Sequence, residues 1–194
     1  MTTIIRSITN CWSKSGIIDK SDSDVYGYGL ELLLYSVVNM VAILLTALLV
    51  GKMPESVALI FAITPLQAFG GGYHAKTHLR CFLIMYIGWW AVIFVLPFFG
   101  NAAATVAICL SVVVVYLVAP VSHVNVKMSV GQQLKMRRLV RIAALVIGLL
   151  SSVIIWFSDD VFSIGVSMSA GLFVAALSIG LAHCKNKFQA KVSK

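Results

Sequence analysis

The chain has 194 residues, 60% of them hydrophobic and only 11% charged, with a mean hydropathy of +0.96 and a formal net charge of +8. A soluble domain of this length cannot hide so much apolar surface, whereas a bilayer accommodates it, so an ordinary water-soluble globule is excluded. The basic residues flank apolar runs instead of forming one interleaved patch, which argues for anionic headgroups and against a nucleic-acid partner.

In chain order, Ile4, Ile5, Ile8 and Trp12 recur at helical spacing with Arg6 and Lys14 nearby. That pattern predicts a short amphipathic helix lying in the membrane interface. Asp19 to Asp24 reads as a polar connector, so residues 1–29 form an interfacial helix and its link to the first span. No cleavable signal peptide is expected, because this stretch lacks an apolar core followed by a small-residue cleavage site. Six apolar runs follow, at roughly 30–50, 54–70, 81–99, 102–119, 139–157 and 161–183. Each has about the ~17–25 residues that a helix needs to cross the hydrocarbon core, and helices satisfy their own backbone groups there. The expected fold is an all-α polytopic transmembrane bundle of six spans in one domain, ending in a basic tail over 184–194.

Charge sets the expected orientation. Fourteen of the fifteen Lys and Arg fall before span one, between spans two and three, around the loop between four and five (Arg141 just inside span five), or after six. Lys52 alone lies on the other side. The positive-inside rule then puts both termini in the cytoplasm, N-in and C-in. Of the four cysteines, Cys11, Cys81 and Cys184 fall on that reducing side and Cys109 within the membrane, so disulfides are not expected. Asn39, inside span one, is placed to hydrogen-bond across helices.

Span two is the unusual one. Pro65 interrupts its apolar run, Thr64 and Gln67 are polar, and Gly70-Gly71-Gly72 leads to Tyr73-His74. Proline removes an internal hydrogen bond, so this span is expected to bend or end before His74. Thr77 can cap the next helix, which puts Cys81 at the end of its first turn. A thiol near a helix N-terminus, beside Lys76 and Arg80, is in a setting that favours the nucleophilic thiolate.

A base and a thiol in one polar segment suggest nucleophilic catalysis, although a histidine and a cysteine seven apart form a weak pattern alone. Along one straight helix His74 and Cys81 would stand about 10 Å apart, at ~1.5 Å per residue. A working pair needs roughly 2.6–3.2 Å. Either the chain breaks between them or the pair forms across two protomers; the glycines and Thr77 favour the break. Two alternatives stand beside catalysis by thiol. His74, His78 and Cys81 share a helical face and can be read as a zinc site for a hydrolase, with no nearby Asp or Glu to complete it. A peptide exporter or scaffold without proteolysis is the other, against which the spans carry almost no charge for a polar path.

The string Gly71-Gly72-Tyr73-His74-Ala75-Lys76, followed by Cys81 at the head of a span, resembles the accessory gene regulator B family. The likeness extends to the length, the six spans, the basic loops, and Ala119-Pro120-Val121 leading into Asn125 and Lys127. The resemblance implies a membrane cysteine endopeptidase of Gram-positive bacteria, multi-pass in the cell membrane with its active site at the cytoplasmic face. It further implies a quorum-sensing propeptide with an acidic C-terminal tail as substrate, cleaved through an acyl-thioester and cyclised to a thiolactone or lactone. His74 is then the base, Cys81 the nucleophile, and Gly72 a residue with a backbone role. Some members carry an arginine seven positions before the histidine, where this chain has Gln67. Gln67 is the nearest amide that can donate to an oxyanion, and His78 and Arg80 are candidates for support. Asn125 or a backbone carbonyl is a candidate to orient His74. Lys127, Lys135, Arg137 and Arg138 are candidates to hold the acidic tail. No cofactor and no metal are expected, and a homodimer is.

Overall fold

The computed structural model describes residues 2–72, 78–95, 98, 100–121, 129–159 and 161–192. Among them every regular element is helical: α1 (Thr2–Lys14), α2 (Ser23–Leu49), α3 (Met53–Gly70), α4 (His78–Val95), α5 (Asn101–Val118), α6 (Val130–Phe157) and α7 (Phe162–Val192). Five of these, α2, α3, α5, α6 and α7, are long and apolar enough to cross a membrane; in α4 the described apolar stretch Leu79–Val95 is shorter. The all-α membrane bundle stands.

α7 is the core helix. Its apolar stretch is 61% buried, against 18% for α2, and it packs on α3, α5 and α6. Lipid tails are as apolar as leucine, so helices in a bilayer associate through close packing, and small residues permit it. α7 supplies Gly165, Ser167, Ser169, Gly171, Ala175 and Ala176 to this end. At Gly171 a Cβ would stand 2.8 Å from both the Ala62 Cβ and the Leu59 carbonyl oxygen of α3. Leu66, Val115, Val140, Leu172 and Ile179 fill the space around that contact.

α2 and α4 form a second layer, from which Ile43, Ala47, Trp89 and Ile93 make a separate cluster with Leu59 and Ile63 of α3. Two hydrogen bonds hold α4 here. Trp89, only 1% exposed, donates from Nε1 to Ser56 Oγ of α3 at 2.8 Å, and the Tyr86 hydroxyl pairs with Thr46 Oγ1 of α2 at 2.8 Å. In a medium without water each such pair is hard to replace, so the two fix the height and rotation of α4.

The structure refines several expectations. α1 exists and lays Ile5 and Thr9 across Gly27 of α2, while Arg6, Asn10 and Lys14 face outward. The polar connector is itself partly helical, with a 3-10 turn at Lys20–Asp22 running straight into α2. α3 does not stop at Pro65: the Thr64 hydroxyl donates to the Ile60 carbonyl at 2.7 Å and the helix runs on to Gly70. α6 begins nine residues before the predicted span, at a capping box in which the Ser129 Oγ accepts from the Gln132 N–H and the Gln132 Oε1 accepts from the Ser129 N–H. α7 likewise continues as helix to Val192, through most of the basic segment that follows residue 183. The Asn39 carboxamide oxygen is buried with no partner among the described residues, so the expected cross-helix bond through that oxygen is not made.

Candidate active site

Two helix ends, those of α3 and α5, meet where α3 stops, against the flanks of α6 and α7. Gly71 closes α3 by donating its N–H to the Gln67 carbonyl at 3.1 Å, at φ 71° and ψ −169°. Positive φ with extended ψ is a region essentially reserved for glycine, so the chain can leave the helix in this direction only with glycine here. A side chain would also collide with the Val121 carbonyl oxygen. Gly70 is buried, and a Cβ on it would stand 2.8 Å from Ile179 Cδ1 of α7 and 2.9 Å from Val140 Cγ2 of α6. A Cβ on Gly72 would stand 2.8 Å from Ser178 Oγ of α7. Gly71 is therefore required by conformation and by a backbone contact, Gly70 and Gly72 approach neighbouring side chains closely, and together they make a strap laid over α6, α7 and the segment after α5. Gly72, for which the resemblance implies a backbone role, is thus one of three consecutive glycines in close contact with their neighbours.

The partner of the strap is the Ala119–Val121 segment. The Val121 N–H donates to the Gly70 carbonyl at 2.9 Å, so the exit from α5 and the exit from α3 cap one another. On the other side of this segment, Leu117 to Pro120 and Val130, Gln133, Leu134 and Arg137 line a cleft of about 280 Å³ between α5 and α6. Val130 and Leu134 are exposed there, and Lys135, Arg137 and Arg138 stand exposed on the opening turns of α6. At about 1.5 Å per residue, the 28 residues of α6 exceed a ~30 Å hydrocarbon core by about two turns, and the basic residues lie in its opening turns.

Of the predicted site residues, Cys81 lies in the first turn of α4, half-buried, with Arg80 exposed beside it. Gln67 is half-buried in the last turn of α3, where its carbonyl holds Gly71. His74 and Lys127 lie outside the described residues, as do Thr77, Asn125 and the side chain of His78. The pairing of His74 with Cys81, the cap on α4 and the zinc reading all fall on these positions. The strap thus enters, and the first turn of α4 leaves, the segment that carries His74. Sequence reasoning gave no role to Val121 or Ser178. The tripeptide Ala119-Pro120-Val121 stands out in the sequence only as part of the family resemblance, and nothing local marks Ser178.

Compared with protein-family models, residues 5–179 match Accessory gene regulator B. No curated protein and no solved structure matches the chain.

Proposed function

Because the chain belongs to the accessory gene regulator B family, whose members process the quorum-sensing autoinducer, we propose that it is a membrane cysteine endopeptidase that cuts and cyclises a short propeptide. The observation that carries this reading is the glycine strap. A backbone held on three sides leads directly into the His74 segment, and that segment ends one turn before the half-buried thiol of Cys81.

In this mechanism His74 takes the proton from Cys81 Sγ. The thiolate attacks the carbonyl carbon before the acidic tail, the C–N bond breaks, and the tail amine leaves with the proton from His74. The peptide is then held as a thioester on Cys81. An internal cysteine or serine of the peptide gives its proton to the now neutral His74 and attacks that acyl carbon, Cys81 leaves as thiolate, and a thiolactone or lactone results. The acyl energy kept in the thioester lets ring closure compete, provided water is excluded. Gln67 is positioned by sequence to donate to the oxyanion, and the site operates at the cytoplasmic face, where an amphipathic peptide on the membrane can reach it.

Cleavage of the propeptide by the reconstituted chain should stop when Cys81 is alkylated and should continue in excess chelator. Loss to the chelator would point instead to the zinc reading, and alkylation that leaves cleavage intact would point to an exporter or scaffold. The cleft that Arg137 lines, with Arg138 exposed next to it in the chain, suits the acidic tail of the substrate. Arg137→Glu with Arg138→Glu is expected to raise KM by about tenfold with kcat retained, since each exposed pair is worth up to ~1 kcal/mol and is turned into a repulsion. A salt titration checks it, because the wild-type advantage should shrink as the ionic strength rises.

A further inference from the structure

Pro120 creates a problem that the fold must solve. In a continuing helix the Tyr116 carbonyl would accept from the N–H of residue 120, but proline has none. The Leu117 carbonyl would accept from the N–H of residue 121, but that N–H is given to Gly70 at 2.9 Å. The last turn of α5 thus ends early, at a point packed between helices. Arg141 of α6 supplies the missing donor: its Nη2 donates to the Tyr116 carbonyl at 2.7 Å, and its guanidinium lies 3.9 Å from the centre of the Tyr116 ring. Its Nε is buried without a hydrogen-bond partner among the described residues and the residue as a whole is half-buried, while the Nη2 bond to Tyr116 lies on the exposed side of the bundle. A cation at a helix C-terminus also meets the negative end of the helix dipole.

We propose that Arg141 is a positioning residue for the catalytic segment, acting through the end of α5. The route is short and made of contacts already described. Arg141 fixes Tyr116, Tyr116 sets where the chain leaves α5, the exit carries Val121, and Val121 holds Gly70 by its N–H and limits Gly71 by its carbonyl. The adjacent Val140 presses on Gly70 from the same turn of α6. Arg141 therefore differs in kind from Lys135, Arg137 and Arg138, which are exposed on the opening turns of the helix. The consequence for chemistry rests on the reading of His74 and Cys81 given above; the consequence for the strap does not.

The test separates the two. A Cβ on Gly72 lies 3.8 Å from Ser178 Cβ, the usual spacing of a disulfide, about 3.8 Å. Gly72→Cys and Ser178→Cys are introduced together into a chain whose Cys11, Cys81, Cys109 and Cys184 are replaced by serine, and the rate of oxidative cross-linking is followed in membranes. Adding Arg141→Met should slow cross-linking by about tenfold, the scale of coupling through a packed network. Arg141→Lys should recover part of the rate, because an ammonium can donate to the carbonyl but cannot lie flat on the ring. Tyr116→Leu, which leaves the carbonyl in place, should slow it less than Arg141→Met. Unchanged cross-linking in Arg141→Met and Tyr116→Leu would overturn the proposal. In the chain with its native cysteines, Arg141→Met should lower kcat by between about tenfold and a hundredfold with KM unchanged. A raised KM with kcat intact would make Arg141 a substrate contact and overturn it as well. Since the cross-link is read without Cys81, it judges the seat of the strap whatever becomes of the processing reading.

Discussion

Cys81→Ala and His74→Ala are each expected to lower cleavage of the propeptide by at least about 10²–10⁴-fold while leaving insertion and folding unchanged. The expectation follows from what each side chain does. Without the sulfur there is no acyl carrier, and a base alone cannot store the peptide bond's energy for ring closure. Without the imidazole the thiol remains, but proton transfer to and from the reacting atoms is lost, typically worth 10²–10⁴-fold. Removing either member of a unit that acts together costs nearly as much as removing both, so the double variant should be no worse than the single ones. Folding should survive because Cys81 is only half-buried and α4 is anchored further along, by Trp89 on Ser56 and Tyr86 on Thr46. Propeptide cleavage by purified, reconstituted variants, with the detergent melting temperature beside it, checks both halves. A Cys81→Ala chain that still cuts would remove the thiol from the mechanism.

Gly71→Ala is the second variant with a large expected effect, although it adds a single methyl group outside any chemistry. The residue would have to hold φ near 71° with extended ψ, which costs of the order of 1–3 kcal/mol for a side-chain-bearing residue. The methyl would also meet the Val121 carbonyl oxygen, a backbone atom that is itself tied in place through the Val121 N–H to Gly70. The strap is expected to lift from its seat, and displacement of a reacting group by about 1 Å can cost 10²-fold in rate. The melting temperature should fall by several degrees, at roughly 2–4 °C per kcal/mol for a chain of this size. Gly88→Ala is the control. It lies inside α4 with nothing within 4 Å of a new Cβ, and it should keep both activity and stability.

Much of this molecule is legible in its sequence because lipid leaves few options. The predicted spans at 54–70 and 102–119 differ from Met53–Gly70 and Asn101–Val118 by one residue at most, since apolar runs there end at glycine, asparagine or proline. The runs ending in basic residues were read too short. Lys135, Arg137 and Arg138 end hydrophobicity without ending a helix, and the true start of α6 was written in Ser129 and Gln132 as a capping box. Pro65 does not move the expected end of its span, which stops at Gly70, before His74, because a proline inside a packed transmembrane helix need not end it when neighbouring groups absorb the freed backbone. At the site, the glycine run was recognisable as special, and its direction of travel was not. What each glycine makes room for comes from Val121, Val140, Ser178 and Ile179, residues about fifty to one hundred and ten positions away along the chain. The orphan carbonyl at Tyr116 follows from Pro120 by local rules alone, but its donor, Arg141, is known only once α5 and α6 are side by side.

The most direct test of the central claim is to look for the peptide on the enzyme. The chain is mixed with its propeptide in lipid vesicles, quenched in acid within the first turnover, digested and weighed. The mechanism predicts an added mass equal to the propeptide without its tail, on the fragment holding Cys81, removed by hydroxylamine and absent from Cys81→Ala. Cleavage proceeding at the normal rate in the Cys81→Ala chain, with no such adduct trapped on the native one, would contradict it.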